Sequence, residues 1–115
     1  MKKFITFLIL ISSANVMADL KGNLDKDIDE LMVKVIEWRH DIHENPELGN
    51  REFRTSKKIE DHLRSLGIKV ETKIAYTGVV GILEGDLPGP TMALRADMDA
   101  LPVEEKTGLP FASKV

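Results

Sequence analysis

Two acidic residues one position apart, Asp97 and Asp99 in the stretch LRADMDALP (residues 94–102), are the first candidates for chemistry in this chain. They close a run, Thr91 to Ala96, that reads as a β-strand. If the strand persists, Arg95, Asp97 and Asp99 share one face, because side chains alternate along a strand. Two carboxylates on one face repel each other unless one stays protonated or a cation sits between them. Arg95 is a candidate for that cation, and so is a bound metal ion, since carboxylate oxygens suit hard or borderline metals. A polar loop in which one Asp caps its own turn accounts for the spacing as well.

A second candidate is His40 with His43, one helical turn apart. That spacing can share a metal, although one packed and one solvated histidine is the commoner outcome. Trp38 reads as a packing residue. Arg39 falls by helical phase in the middle of the apolar stripe, which calls for an acidic partner such as Glu47 or Glu52, because a lone buried charge is very costly. Lys57 and Lys58, with Glu60 and Asp61, read as a solvated helix face.

The elements that must position these residues follow from the pattern. Ile28, Leu31, Met32, Val35, Ile36 and Ile42 mark a helix with one buried stripe, after a polar lead-in from Asp19 to Asp27. Asp25 or Asp27 is placed to cap its start and Pro46 to end it. A second helix is expected from about Arg51 to Leu66, capped by Asn50 and stopped by a left-handed Gly67. Ile68, Val70 and Thr72 then alternate with charged residues as a half-buried strand. Val79 to Leu83 reads as a strand buried on both faces. GDLPGP is a turn returning the chain along Thr91 to Ala96 as a hairpin. The fold class is therefore α/β: two N-terminal helices followed by a small sheet that contains a β-hairpin. With no closing element after Asp99, this reads as the incomplete front part of a larger α/β domain.

Composition sets the limits. The 115 residues are 43% hydrophobic and 30% charged, enough for one small globular domain, and the net charge of −3 gives no footprint for nucleic acid. Cysteine is absent, so no disulfide framework is available. Lys2 and Lys3 precede the apolar run FITFLILI, which is too short to span a bilayer, and SSANVMA follows with Val16 and Ala18 at the −3 and −1 positions of a cleavage site. Residues 1–18 are thus expected to be a secretory signal peptide. The product would be exported, periplasmic or secreted, with no membrane association after cleavage, and residues 19–115 would form the domain.

Two Asp separated by one residue after a strand also describe phosphoryl-transfer enzymes of the haloacid-dehalogenase type, with the first Asp as nucleophile and the second as general acid. That motif normally opens its domain and has Thr or Val where this chain has Leu101, so this is the weaker alternative.

Three longer segments carry a resemblance: WRHDIHENPELGNREFRTSKKIEDHLRSLGI (38–68), TGVVGILEG (77–85) and PGPTMALRADMDALPVEEKTGLPFAS (88–113). From about Asp29 to Val115 the chain resembles the start of the metal-dependent amidohydrolases related to aminoacylase and the co-catalytic zinc carboxypeptidases. Within them it resembles the branch of hippurate hydrolases, N-acyl-amino-acid amidohydrolases and auxin-conjugate hydrolases. The resemblance implies cleavage of the amide bond of N-acyl-amino acids or related small amides by a metal-activated water, with zinc or manganese as cofactor and a glutamate as general base. It implies a mixed-sheet catalytic domain, with residues 19–115 as its N-terminal part, and a possible homodimer of the whole enzyme.

In the wider clan a His-x-Asp motif ends the corresponding strand. Asp97 aligns with the His and Asp99 with the Asp that orients it. The resemblance therefore makes both supporting residues of the catalytic site, Asp99 above all, and not metal ligands. The ligands it implies belong to a later segment containing Cys-Gly-His-Asp, a further glutamate and two more histidines, none of them in this sequence. Glu104 and Glu105 fall in the family's LP-x-x-E loop without the role of base. These 115 residues alone are expected to be inactive, and a non-catalytic remnant or binding module from a truncated gene is the alternative.

Overall fold

A computed structural model describes the backbone of residues 2–113 and the side chains of residues 21–113. The expected signal peptide, residues 1–18, lies outside the described side chains. The element order is α1 (Lys2–Glu44), α2 (Phe53–Ser65), β1 (Lys69–Ile74) and β2 (Gly78–Ile82). The chain divides into two compact units, residues 1–40 and residues 41–115.

The first unit is helical. α1 already runs through Lys21 to Asp27, so Asp25 and Asp27 lie inside the helix and do not cap it. This corrects the expected start at Ile28. No proline interrupts residues 21–44, Gly22 alone weakens the helix, and Lys26 and Glu30 pair at 3.6 Å across one turn. The apolar stripe is present but not buried: Ile28, Leu31, Met32, Val35 and Ile36 are 40–50% exposed. Arg39 is exposed too, with its guanidinium 3.5 Å from Nε2 of His40. Its surroundings lack the low dielectric that would have demanded an acidic partner. The ammonium of Lys34 stands 5.1 Å over the ring of Trp38.

The second unit begins with the end of α1, at Glu44, where Asn45 and Pro46 break the helix as expected. A tight turn follows, closed by Arg51 N–H donating to Leu48 O at 2.9 Å. Asn50 sits in that turn at φ 64°, a left-handed conformation that asparagine tolerates, so it does not cap α2. The helix starts one residue after Glu52. It ends as expected, with Gly67 at φ 75° and Gly67 N–H donating to Arg64 O at 3.0 Å.

β1 and β2 pair antiparallel, with Glu71 opposite Val80 and Thr72 opposite Val79. The hairpin therefore closes over Ala75 to Thr77 and not over GDLPGP. Its turn carries Ala75 at φ 47° and Tyr76 at φ 84°, and an irregularity between Thr72 and Ile74 leaves Lys73 at φ 61°. Gly78 is what permits this: a Cβ there would lie 2.5 Å from the carbonyl oxygen of Ile74. α2 covers one face of the hairpin, where a Cβ on Gly81 would meet Leu63 at 3.2 Å and Ile68 at 3.3 Å. Val70 is buried at 9% exposure, as its alternation implied, but Val80 is 40% exposed, so β2 is not buried on both faces.

Residues 83–99 form no strand. The expected return strand Thr91 to Ala96 is absent, and the sheet is two-stranded and antiparallel. Pro88 and Pro90 offer no N–H to a ladder, and the apolar positions that would line a sheet stand open, with Leu83 82%, Met92 85% and Leu94 95% exposed.

Candidate functional site

The acidic stretch is extended chain, so strand alternation does not set the direction of its side chains. Asp97 accepts from Arg95 Nη2 at 2.7 Å. Both side chains are open to solvent, 70% and 88% exposed, so the pair is worth little to stability. Asp99 is exposed but lies over the turn that precedes α2: a Cβ on Gly49 would come 3.7 Å from Asp99 Oδ2.

What places Asp99 there is the next residue. Ala100 N–H donates to Glu47 O at 2.8 Å, and Ala100 bridges Leu48 in parallel fashion. Glu47 also works through its side chain. Its two carboxylate oxygens accept from Arg54 N–H at 2.9 Å and Thr55 N–H at 2.7 Å, the second and third amides of α2. A helix N-terminus exposes such amides without intrahelical partners, and here a carboxylate from before the turn satisfies them. Partial burial pushes the Glu47 carboxyl up, but the amides of Arg54 and Thr55 outweigh it and hold the group below the ordinary carboxylate range. One residue thus joins the start of α2 to the acidic stretch.

Two further contacts brace the turn. Glu52, buried at 7% exposure, accepts from the buried hydroxyl of Thr77 at 2.5 Å and ties α2 to the hairpin. Asp41, in the last turn of α1, accepts from Lys58 and from Arg54 Nη2. Lys58 first, then Arg54, hold the Asp41 carboxyl low. Lys58 is therefore not part of a purely solvated face, whereas Lys57 pairs with Asp61 on the open side of α2 as expected.

The two histidines part company. His43 Nε2 lies 2.8 Å from Glu105 Oε2. An ionised carboxylate can only accept, so Nε2 carries the hydrogen. The ring also meets Phe111 edge-on, with centroids 5.9 Å apart. His40 stands beside Arg39. Among the described residues no group of three or more His, Cys, Asp or Glu could hold a metal ion.

Glu105 is the residue that sequence reasoning undervalued. Besides His43, it accepts from the Thr107 hydroxyl and from Ser113 N–H at 2.7 Å. The Thr107 hydroxyl first, then the Ser113 amide, outweigh burial and with His43 hold its carboxyl down at about 2. Both of its oxygens are engaged by these donors. The only signal in the sequence was its place in the LP-x-x-E loop.

No family model matches the chain. Over 98 residues it is 51% identical to thermostable carboxypeptidase 2 of Saccharolobus solfataricus, covering 84% of this chain and 25% of that protein. Over 92 residues it is 46% identical to hippurate hydrolase of Campylobacter jejuni, covering 80% of this chain and 24% of that one. Among solved structures it superposes with a TM-score of 0.70 on the YXEP protein of Bacillus subtilis, described as a dinuclear metal-binding peptidase from the M20 family. That pair is 43% identical, covering 76% of this chain and 24% of the other. The chain thus spans about a quarter of the length of the relatives it matches.

Proposed function

Because this chain belongs to the family of metal-dependent amidohydrolases and peptidases, we propose that it is the N-terminal part of an enzyme that hydrolyses the amide bond of N-acyl-amino acids or related small amides. The observation that carries this reading is the 46% identity to a hippurate hydrolase, a protein named for cleaving an acylated amino acid.

The residues present do not fit the metal site as ligands. Asp97 is taken up by Arg95, and among the described residues no group of three or more His, Cys, Asp or Glu could hold a metal ion. In this reading the ions, zinc or manganese, are held by residues other than those of this chain. This chain contributes the adjoining wall. Asp99, held against the turn at Gly49, supports that wall directly, and Asp97 balances charge beside it. The whole enzyme is read as a possible homodimer. The apolar run behind Lys2 and Lys3 supports export to the periplasm or beyond.

A chimera tests the proposal. In it, this chain replaces the corresponding quarter of the Saccharolobus carboxypeptidase, and the product is checked for folding by circular dichroism. It is then assayed on N-benzoylglycine and N-acetyl amino acids with zinc or manganese. Metal-dependent turnover is expected. A folded chimera without turnover on any of these substrates, beside an active parent, overturns the reading.

A further inference from the structure

We propose that Glu105 is a positioning residue, whose clasp on His43 at the end of α1 fixes the loop after the acidic pair and so holds Asp99 in place. The inference rests on the function proposed above only for what Asp99 is held for. The holding itself is a property of this chain.

Two polar anchors follow Asp99 in the chain. At the next residue, Ala100 N–H donates to Glu47 O at 2.8 Å. At the far end of the loop that starts there, Glu105 gathers His43, Thr107 and Ser113 N–H around one carboxylate. Between the anchors the chain does not pack. Leu101 is 76% and Val103 64% exposed, and under the loop lies a cavity of about 230 Å³ bounded by Pro46, Leu48 and residues 101–104. A loop without packing keeps its place only through its ends.

The contrast with Glu104 points the same way. The side chain of Glu104 is 81% exposed, while that of its neighbour Glu105 is 13% exposed in a segment otherwise open to water. A carboxylate drawn in among three donors, in a loop lacking an apolar core, is a polar substitute for packing. Phe111, set edge-on to His43, shields the clasp from one side.

Hydrogen exchange on the 115-residue chain tests the clasp without any appeal to catalysis. In Glu105→Ala the amides of Ala100 and Ser113 should exchange about tenfold faster or more, as when an anchored segment opens locally. The β1–β2 amides should keep their rates and serve as the control for folding. Glu105→Gln offers one carbonyl oxygen to His43 and Ser113 and should restore most of the protection at Ala100. In the chimera, Glu105→Ala should lower kcat more than it raises KM, and Glu105→Gln should recover kcat.

An unchanged rate at Ala100 in Glu105→Ala, with the hairpin intact, overturns the proposal. So does a loss of protection spread equally over the hairpin, which would make Glu105 a general stabiliser. If the chimera is inactive while Ala100 responds as expected, the proposed function fails and the clasp stands.

Discussion

Replacing Glu47 by alanine removes a carboxylate that caps α2 while leaving the backbone carbonyl that holds Ala100. The loss is two charge-assisted hydrogen bonds, at 2.9 Å to Arg54 N–H and 2.7 Å to Thr55 N–H. Removing an N-cap costs about 0.5–2 kcal/mol, and a hydrogen bond to a charged group about 1.5–3 kcal/mol. Glu47 is half-buried, so water replaces part of what is lost, and about 2 kcal/mol is expected. For a domain of this size that lowers Tm by about 10 °C.

The measurement is urea unfolding of the 115-residue chain, with amide exchange at Arg54, Thr55 and Ser56 to place the loss at the first turn of α2. Acid supplies an internal check. The Glu47 carboxyl is held low in the folded state, so its contribution is complete above the ordinary carboxylate pKa and fades as pH falls through the folded value. The gap between parent and Glu47→Ala should therefore close on acidification. A variant as stable as the parent at pH 7, or a gap that stays constant down to pH 2, would refute the capping account.

Other outcomes follow from the same geometry. Gly78→Ala drives a Cβ to 2.5 Å from Ile74 O and should destabilise the hairpin by about 1–3 kcal/mol in urea melts, whereas Gly85→Ala, which meets nothing within 4 Å, should be neutral. Gly67→Ala forces a side chain to φ 75° and should cost about 1 kcal/mol. The Glu105 carboxyl sits at about 2. Its hold on the loop is therefore complete above about pH 4.5 and lost as pH falls toward 2, seen as faster exchange at Ser113 in acid. Zinc titrated into the chain should show no tight stoichiometric site by calorimetry, since no ligand cluster exists among the described residues. A one-to-one submicromolar site would contradict the division of labour proposed for the enzyme.

The presence of two helices and where each ends, the Gly67 stop and the buried Val70 were legible because their signals are local: a period, a φ requirement, an alternation. The Asp97–Arg95 pair forms although the strand alternation on which it was read does not exist. The hairpin was misplaced because its turn uses Ala75 and Tyr76 at positive φ, for which no residue-type signal exists. The true marker was Gly78, whose need is set by a backbone atom four residues earlier. The run from Thr91 to Ala96 has the composition of a strand, but a strand exists only with a neighbour to bond to, and composition does not supply one. Asp99 was found from its spacing. Glu47 and Glu105, which hold its surroundings, were not, because most of their partners lie seven or more residues away and include backbone amides. Their roles come from distance in space, which one-dimensional spacing does not encode.

The open ribbon between Leu83 and Leu94 has a practical corollary. Its greasy side chains face water and its peptide groups have no ladder to join, so any chain nearby with the same ribbon is a ready mate. Self-capture of that kind is second order in protein while proper closure is first order. Yield of well-behaved material should fall as expression rises, and slow synthesis at low temperature should restore it.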